Sequence, residues 1–218
     1  MKNTVLYLKN RHEKPLPDPF QSDDVRYCPE LVEHFLTEYT TEGDLVFDPF
    51  MGFGTTLVVA ERMGRIGYGV EFEQRRCDYV RSQLKHPQNA LVGDSLRLSE
   101  LEIPEFDFSI TSPPYMGKHH EENPFTAYST KGGGYPQYLK DIRSIYKQVA
   151  NKLKPSGHAV IEVSNLKHPD AEMTPLAWDI AAEVSSVLNF LGEIVIVWEP
   201  TYAYGYDHSY ALVFSKPA

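Results

Sequence analysis

Cysteine is scarce in this sequence, which has only Cys28 and Cys77 among 218 residues. Two cysteines exclude a disulfide framework and a cysteine-rich zinc site, and they predict two free thiols. The sequence also lacks an apolar run of roughly 18 residues, the length that a membrane helix needs. Its N-terminus has no long apolar core followed by a small-residue cleavage site, as a secretory signal would. We therefore expect a cytoplasmic protein with no membrane partner.

Basic residues are also in short supply. Lysine and arginine total 21 against 30 acidic residues, which gives a formal net charge of −9. This balance disfavours a polyanionic partner, because nonspecific affinity for nucleic acid comes largely from neutralised phosphates. Charge can still be segregated locally, since Lys140, Arg143 and Lys147 have the spacing of one helix face and a second basic cluster lies within residues 75–81. For either cluster taken alone, a solvated helix face is the favoured interpretation.

Length and composition predict one globular domain. The hydrophobic fraction of 42% and the charged fraction of 23% are ordinary for such a domain. A chain of this length can bury a substantial core, but it leaves little room for a separate recognition domain. Residues 1–26 are polar and proline-rich, so we interpret them as an arm that becomes ordered only by packing on something else. The domain itself is predicted to cover residues 27–218.

Apolar strand-like segments alternate with amphipathic helical segments along this domain. The predicted strands cover residues 45–47, 66–70, 90–92, 106–110, 159–163, 193–198 and 210–214, and the predicted helices begin near residues 29, 55, 72, 137 and 174. The alternation predicts a mostly parallel sheet covered on both faces. The last two strands have no helix between them, which predicts one antiparallel hairpin. The fold class is therefore α/β, with a Rossmann-like layout.

Four polar side chains stand where predicted strands end: Asp48, Glu71, Asp94 and Ser112. In open α/β sheets, ligands bind beyond the carboxyl ends of the strands, near the point where the strand order reverses. The four side chains are therefore expected to converge on one ligand crevice. The alternative for Asp48 and Asp94 is that they only cap loops and bind no ligand.

A glycine turn (residues 48–54, Asp-Pro-Phe-Met-Gly-Phe-Gly) follows the first strand of the domain. Gly52 and Gly54 are expected to let the backbone approach a ligand where a Cβ atom would obstruct it. Glu71 lies 17 residues after Gly54, close to the spacing at which a carboxylate reaches a ribose diol in a Rossmann unit. A Gly-x-Gly turn alone is common to many nucleotide-binding proteins.

The strand at 106–110 leads into Ser112, Pro113, Pro114 and Tyr115, here named the diproline corner. Consecutive prolines fix two φ angles, so the serine hydroxyl and a proline carbonyl form a rigid pair of acceptors beside an aromatic face. Such a pair suits a planar exocyclic amine. The alternatives are an ordinary proline-rich turn, with Tyr115 as core filling.

Together the diproline corner and the run Asp-Pro-Phe-x-Gly-x-Gly-Thr-Thr resemble two motifs of the S-adenosylmethionine-dependent DNA amino-methyltransferases. Ser-Pro-Pro-Tyr is most typical of the cytosine-N4 branch. The resemblance covers most of the chain, from about Tyr27 onward. It implies the class I methyltransferase fold, a seven-stranded, mostly parallel sheet with a reversed strand near the C-terminus, and a catalytic domain over residues 27–218. In that branch the corner usually precedes the glycine turn, so the motif order here is permuted.

The resemblance also implies a cofactor, S-adenosylmethionine, and its binding residues. Asp94 would receive the adenine amino group, Phe72 would pack on the adenine ring, and Asp48 would suit the cationic methionine end while repelling the diphosphate of NAD. The residues implied to bind the cofactor are Tyr27, Cys28, Asp48, Pro49, Phe50, Gly52, Gly54, Thr55, Glu71, Phe72, Asp94 and Ser95.

The implied catalytic residues are the four of the diproline corner. Ser112 and the Pro113 carbonyl would pull the hydrogens of a target amine out of conjugation, and Tyr115 would stack on a DNA base that is flipped out or single-stranded. Methylation at cytosine carbon 5 is disfavoured, because neither cysteine follows a proline. Residues 116–135 are interpreted as a mobile target-side loop. Its His-His-Glu-Glu run lacks the helical spacing of metal ligands, so no metal is expected.

Several functions remain open at this point. The leading hypothesis is a DNA cytosine-N4 methyltransferase, and an adenine-N6 enzyme is its sister alternative. Related x-Pro-Pro-Tyr clamps also act on RNA guanine and on protein glutamine. A non-catalytic scaffold subunit is the alternative outside enzymes. Site choice is left to the target-side loop, the N-terminal arm, or another subunit, either a homodimer mate or a specificity partner.

Overall fold

The computed structural model describes residues 3–12, 14–18, 20–21, 24–126, 133–199 and 207–217. Within them, eight strands form one sheet in the order β1-β7-β8-β6-β5-β2-β3-β4. The strands are β1 Val5–Lys9, β2 Leu45–Asp48, β3 Ile66–Glu71, β4 Ala90–Val92, β5 Phe106–Thr111, β6 Leu153–Val163, β7 Asn189–Glu199 and β8 His208–Ser215. Only β8 runs against its neighbours among these strands, pairing antiparallel with both β6 and β7. The predicted α/β class and its C-terminal hairpin are confirmed.

Five α-helices connect the described strands. They are α1 Pro29–Tyr39, α2 Thr55–Arg62, α3 Gln74–Arg81, α4 Gly134–Lys152 and α5 Leu176–Val184. Short 3₁₀ turns cover Pro87–Asn89, Ser95–Glu100 and Pro124–Thr126. In the described part of the chain, no helix combines the length and the apolarity needed to cross a membrane.

Both faces of the sheet are covered, and the two-residue period of the strands divides the core. In β2, Val46 packs with α1 on one face, whereas Phe47 packs with α4 and α5 on the other. The same alternation separates Val160 from Ile161 in β6. This arrangement follows from strands that are apolar on both faces, which only a sheet between two helical layers can bury.

The strand order reverses between β2 and β5. The chain moves outward from β2 to β3 and β4 on one side, then returns to place β5 against the other side of β2. Because all four strands are parallel, their carboxyl ends lie at the same edge of the sheet. The glycine turn after β2 and the diproline corner after β5 are therefore neighbours, although more than 50 residues separate them in sequence.

The sheet contains one strand more than the seven expected. The extra strand, β1, comes from the segment interpreted as an arm, and it pairs in parallel with β7 at the sheet edge. Leu8 and Leu16 of this segment are buried, and Phe20 contacts Phe53 and Tyr79. The alternating run at Val5–Lys9 is short and lies beside a proline-rich stretch. Its local signal for a strand is therefore weak, and the sequence analysis did not predict one there.

Several element boundaries differ from the prediction. β6 begins at Leu153 instead of residue 159, and the strand includes Pro155 and Ser156, whose φ is +63°. The helix predicted to begin near residue 174 covers Leu176–Val184, and β7 begins at Asn189, four residues before its predicted start. Helix α4 begins at Gly134, three residues early. Local signals rarely fix such ends.

Gly54 is required by packing. It has a φ of +78°, and a Cβ atom there would lie 2.5 Å from Cγ1 of Val80 in α3. Gly43 has a comparable φ of +87°, but a Cβ atom added to it would have no atom within 4 Å. Gly54→Ala should therefore destabilise the protein by about 1–3 kcal/mol more than Gly43→Ala, because Gly43→Ala carries the cost of the left-handed backbone alone. Urea unfolding of both variants measures this difference, and equal midpoints would contradict it.

Candidate active site

A cavity of about 930 Å³ opens at the carboxyl edge of the sheet, where β2 and β5 end side by side. The glycine turn, the end of β3 and the diproline corner all contribute to its wall. The predicted site residues that line the cavity are Tyr27, Phe50, Gly52, Thr55, Glu71, Phe72, Asp94, Ser95, Ser112, Pro113, Pro114 and Tyr115. The structure therefore brings the two halves of the predicted site together in one space.

Four predicted cofactor residues lie behind this wall. Cys28 is fully buried at the N-terminus of α1, where burial raises the pKa of its thiol to about 11. Pro49 presents its carbonyl to the Ser95 hydroxyl at 2.6 Å, which joins the loops after β2 and β4. Gly54 faces α3 instead of a ligand, which corrects the expectation that both glycines leave room for one.

The fourth predicted cofactor residue behind the wall, Asp48, is buried and is a hub, meaning a shared acceptor of several hydrogen bonds. Its carboxylate accepts hydrogen bonds from the hydroxyls of Thr111 (2.6 Å), Thr56 (2.6 Å) and Tyr27 (3.1 Å), and from the backbone N–H of Phe50 (3.0 Å). Burial raises the pKa of Asp48, while these donors act in the opposite direction. Since Thr111 immediately precedes the diproline corner, this one carboxylate ties the end of β5 to the glycine turn.

The side of the cavity near β3 and β4 is amphipathic. Glu71 is buried at the end of β3, where desolvation raises its pKa and the backbone N–H of Glu73 donates to it at 2.8 Å. Phe72 beside it leaves 63% of its surface exposed, so its ring is open to a ligand. Asp94 accepts the N–H of Leu96 with one oxygen at 2.9 Å. An acidic group, an aromatic face and a second acid thus stand along one wall.

The diproline corner forms the opposite side. The Tyr115 hydroxyl accepts the backbone N–H of Ser164 at 3.0 Å and donates to Glu162 at 3.3 Å, which fastens the corner to the end of β6. The Pro114 carbonyl accepts the hydroxyl of Tyr138 in α4 at 3.0 Å. The corner is therefore held from two elements, and Tyr115 is both anchored and part of the cavity wall.

Two residues in the first half of the target-side loop are anchored by burial, whereas residues 118–122 between them are exposed. Asn123 is fully buried, donates to Asp141 of α4 at 2.9 Å, and accepts the backbone N–H of Phe125 at 2.9 Å. Met116 is also fully buried. Residues 127–132 of the loop, which include Tyr128 and Gly132, lie outside the described residues.

Two further segments line the cavity and were missed in the sequence. The N-terminal segment contributes Asn10 and residues 24–26. The loop after β6 (residues 164–175) contributes Leu166, Lys167, His168 and Thr174, and Thr174 accepts the backbone N–H of Lys118 at 2.9 Å. Ligands in α/β sheets bind beyond the carboxyl ends of the strands, and this loop also follows such an end. The polar residue Ser164 directly after β6 could therefore have indicated that the loop lines the site.

The basic clusters lie outside the centre of the site. Lys140, Arg143 and Lys147 line one shallow surface depression on α4, as their spacing predicts, and Arg143 pairs with Glu183 at 2.9 Å. Arg76 reaches the main cavity, where it pairs with Glu73 at 3.2 Å. Across the described ranges, no three His, Cys, Asp or Glu side chains are grouped to hold a metal ion.

The architecture is that of the class I S-adenosylmethionine-dependent methyltransferases. TrmN from Thermus thermophilus superimposes with a TM-score of 0.62, covering 94% of this chain and 55% of that protein at 18% identity. The N-methyltransferase NodS from Bradyrhizobium japonicum WM9, solved in complex with S-adenosyl-L-homocysteine, gives a TM-score of 0.57 over 92% of this chain and 89% of that one at 12% identity. At such identities the likeness concerns the fold alone.

Sequence comparison finds a partial match to one family of methyltransferases. Residues 8–82 match the family model of the N6/N4-type DNA methylases. The orphan methyltransferase M.BamHII from Bacillus amyloliquefaciens is 36% identical over 83 residues, which are 38% of this chain and 31% of that relative. The matched residues include the glycine turn, and the match supports the resemblance to the amino-methyltransferases. The matched stretch spans about a third of the length of M.BamHII.

Proposed function

We propose that this protein is a DNA methyltransferase that moves a methyl group from S-adenosylmethionine to an exocyclic amino group of a base, with cytosine N4 as the target. One observation carries the proposal: the diproline corner and the Glu71–Phe72–Asp94 wall face the same cavity. A methyl donor and an amine acceptor must meet within one enclosed space for direct transfer. The match of residues 8–82 to the N6/N4 family model supports the amino group as the acceptor.

The cavity fits the proposed cofactor. Glu71, whose carboxylate is buried at the end of β3, would accept the ribose hydroxyls. The exposed ring of Phe72 would pack on adenine, and Asp94 would accept the adenine amino group. Gly52 lines the cavity with a φ of +52°, so the backbone of the glycine turn would border the ligand. Tyr27 and Arg26 would close the methionine end.

When bound, S-adenosylmethionine supplies an electrophilic methyl group on a sulfonium. The amine nitrogen of a nucleobase is a poor nucleophile, because its lone pair is delocalised into the ring. The Ser112 hydroxyl and the Pro113 carbonyl would accept hydrogen bonds from the two N–H groups of the amine. These bonds would draw the nitrogen lone pair out of conjugation with the ring. Tyr115 would stack on the base, which has to leave a duplex to reach the cavity. The nitrogen would take the methyl group directly, S-adenosylhomocysteine would leave, and the product nitrogen would release one proton to solvent. No covalent intermediate with the protein is required.

Cytosine N4 is chosen over adenine N6 because the corner reads Ser-Pro-Pro-Tyr, the form typical of the cytosine branch. The test is incubation with unmodified genomic DNA and methyl-labelled cofactor, followed by nucleoside analysis. N4-methylcytosine is the expected product. N6-methyladenine as the sole product would instead indicate an adenine-N6 methyltransferase. Parallel reactions with RNA and with protein test the remaining acceptors. A cytoplasmic location and a homodimer or specificity partner stay predictions.

Glu71→Gln should weaken cofactor binding about 10- to 100-fold, because a charged acceptor to a ribose hydroxyl is replaced by a neutral one. Turnover at saturating cofactor should stay within about twofold, since Glu71 lies away from the diproline corner. Calorimetry gives the first quantity and steady-state rates give the second. Glu100→Gln, an exposed carboxylate outside the cavity, is the control. An unchanged dissociation constant for Glu71→Gln would remove Glu71 from the cofactor site.

A further inference from the structure

Tyr138 contacts the diproline corner from behind the cavity wall. It belongs to α4, is fully buried, and donates its hydroxyl to the Pro114 carbonyl at 3.0 Å. It does not line the cavity, so it has no direct access to a bound target. We infer that Tyr138 is a positioning residue that orients the diproline corner for methyl transfer, an inference that rests on the proposed function.

The corner needs such a contact because proline fixes only part of its geometry. The pyrrolidine ring restricts φ, but ψ of Pro114 and the plane of the next peptide stay adjustable. The hydrogen bond from Tyr138 sets that plane, and the bond from the Ser164 N–H to the Tyr115 hydroxyl sets the next side chain. With the Pro114 carbonyl engaged by Tyr138, the Ser112 hydroxyl and the Pro113 carbonyl are the acceptors that serve the target amine.

The ring of Tyr138 also connects the corner to the glycine turn. It stacks on Phe125 at a centroid distance of 5.2 Å and an interplanar angle of 3°. Phe125 stacks in turn on Phe50 of the glycine turn at 5.6 Å and 27°. Phe125 therefore contacts aromatic rings of both the glycine turn and α4, which links the cofactor half of the site to the helix behind the diproline corner.

The helix that carries Tyr138 offers a matched control. Tyr146 lies two turns further along α4, is equally buried, and its hydroxyl has no hydrogen-bond partner within the described part of the chain. Tyr138→Phe therefore removes a hydroxyl together with one hydrogen bond, whereas Tyr146→Phe removes a hydroxyl alone. Comparing the two variants separates orientation of the corner from the general effect of deleting a buried phenol oxygen.

Single-turnover methyl transfer to genomic DNA tests the inference. Tyr138→Phe should lower the rate constant about 3- to 10-fold, the effect of one lost neutral hydrogen bond on an aligned group. Dissociation constants for cofactor and for DNA should stay within about twofold, and Tyr146→Phe should match the wild type in all three. A rate constant for Tyr138→Phe equal to that of Tyr146→Phe would overturn the inference, as would an equal loss of cofactor affinity.

A second measurement needs no activity and keeps the two proposals apart. Amide hydrogen exchange at Tyr115, Met116 and Gly117 should accelerate about 3-fold or more in Tyr138→Phe and stay unchanged in Tyr146→Phe, because the Pro114 peptide is no longer held. Equal exchange in both variants would refute the positioning role whatever the substrate. A wild-type protein that methylates no DNA would instead refute the proposed function.

Discussion

Asp48→Ala should destabilise the folded protein by about 3–5 kcal/mol, because several neutral hydrogen-bond donors lose one charged acceptor. The substitution leaves the hydroxyls of Tyr27, Thr56 and Thr111 and the N–H of Phe50 without their shared acceptor. All three side chains that donate to Asp48 are buried, so water cannot readily replace it. Each buried donor left unsatisfied costs about 1–3 kcal/mol, which supports the size of the total.

Urea unfolding measures this effect against Asp78→Ala. Asp78 lies in α3 with 57% of its side chain exposed, and its replacement should change stability by about 0.5 kcal/mol or less. A milder variant, Thr111→Val, removes a single donor to Asp48 at nearly constant shape and should cost about 1 kcal/mol. If Asp48→Ala were no more destabilising than Asp78→Ala, Asp48 would not be the hub that joins β2 to β5.

Ser112→Ala should lower turnover by about one to two orders of magnitude, the loss expected for one polar contact that strengthens in the transition state. The alanine keeps the backbone of the diproline corner, including the Pro113 carbonyl, and removes one of the two acceptors for the target amine. The cofactor dissociation constant should change little, since Ser112 stands opposite the Glu71 wall.

Steady-state rates and calorimetry on the same preparations test whether Ser112→Ala lowers turnover without weakening cofactor binding. Ser144→Ala, on the exposed side of α4, is the control and should behave as the wild type. An equal loss of cofactor binding in Ser112→Ala would contradict the separate roles proposed for the two sides of the cavity. Full activity in Ser112→Ala would remove the serine from the clamp.

Most of the fold was predictable because its signals are local. Apolar runs separated by amphipathic helices predicted the strands β2–β8 and their covered faces, and the missing helix before β8 predicted the antiparallel pair. The polar residues at strand ends followed from the same pattern, so Glu71, Asp94 and Ser112 could be found without knowledge of any contact. The strand β1 was missed because five residues beside a proline-rich stretch give a weak local signal.

The roles of single residues were harder to predict, because they depend on partners that are distant in sequence. Asp48 was expected to face the cofactor, yet its four donors come from positions 27, 50, 56 and 111. Gly54 was expected to admit a ligand, yet Val80 from another helix occupies that side. The sequence places Tyr138 in a predicted helix and nothing more, whereas in the structure its hydroxyl donates a hydrogen bond to the carbonyl of Pro114, 24 residues earlier.

The sequence by itself determined the α/β class, the position of the two motifs at strand ends and the resemblance to amino-methyltransferases. Each of these depends on residue type and on short periodicities, which a chain carries before it folds. The tertiary structure alone decided that Asp48 is enclosed between β2 and β5 and that Tyr138 donates to the diproline corner. Those outcomes require strand order and close packing, which are properties of the whole sheet and of no single segment.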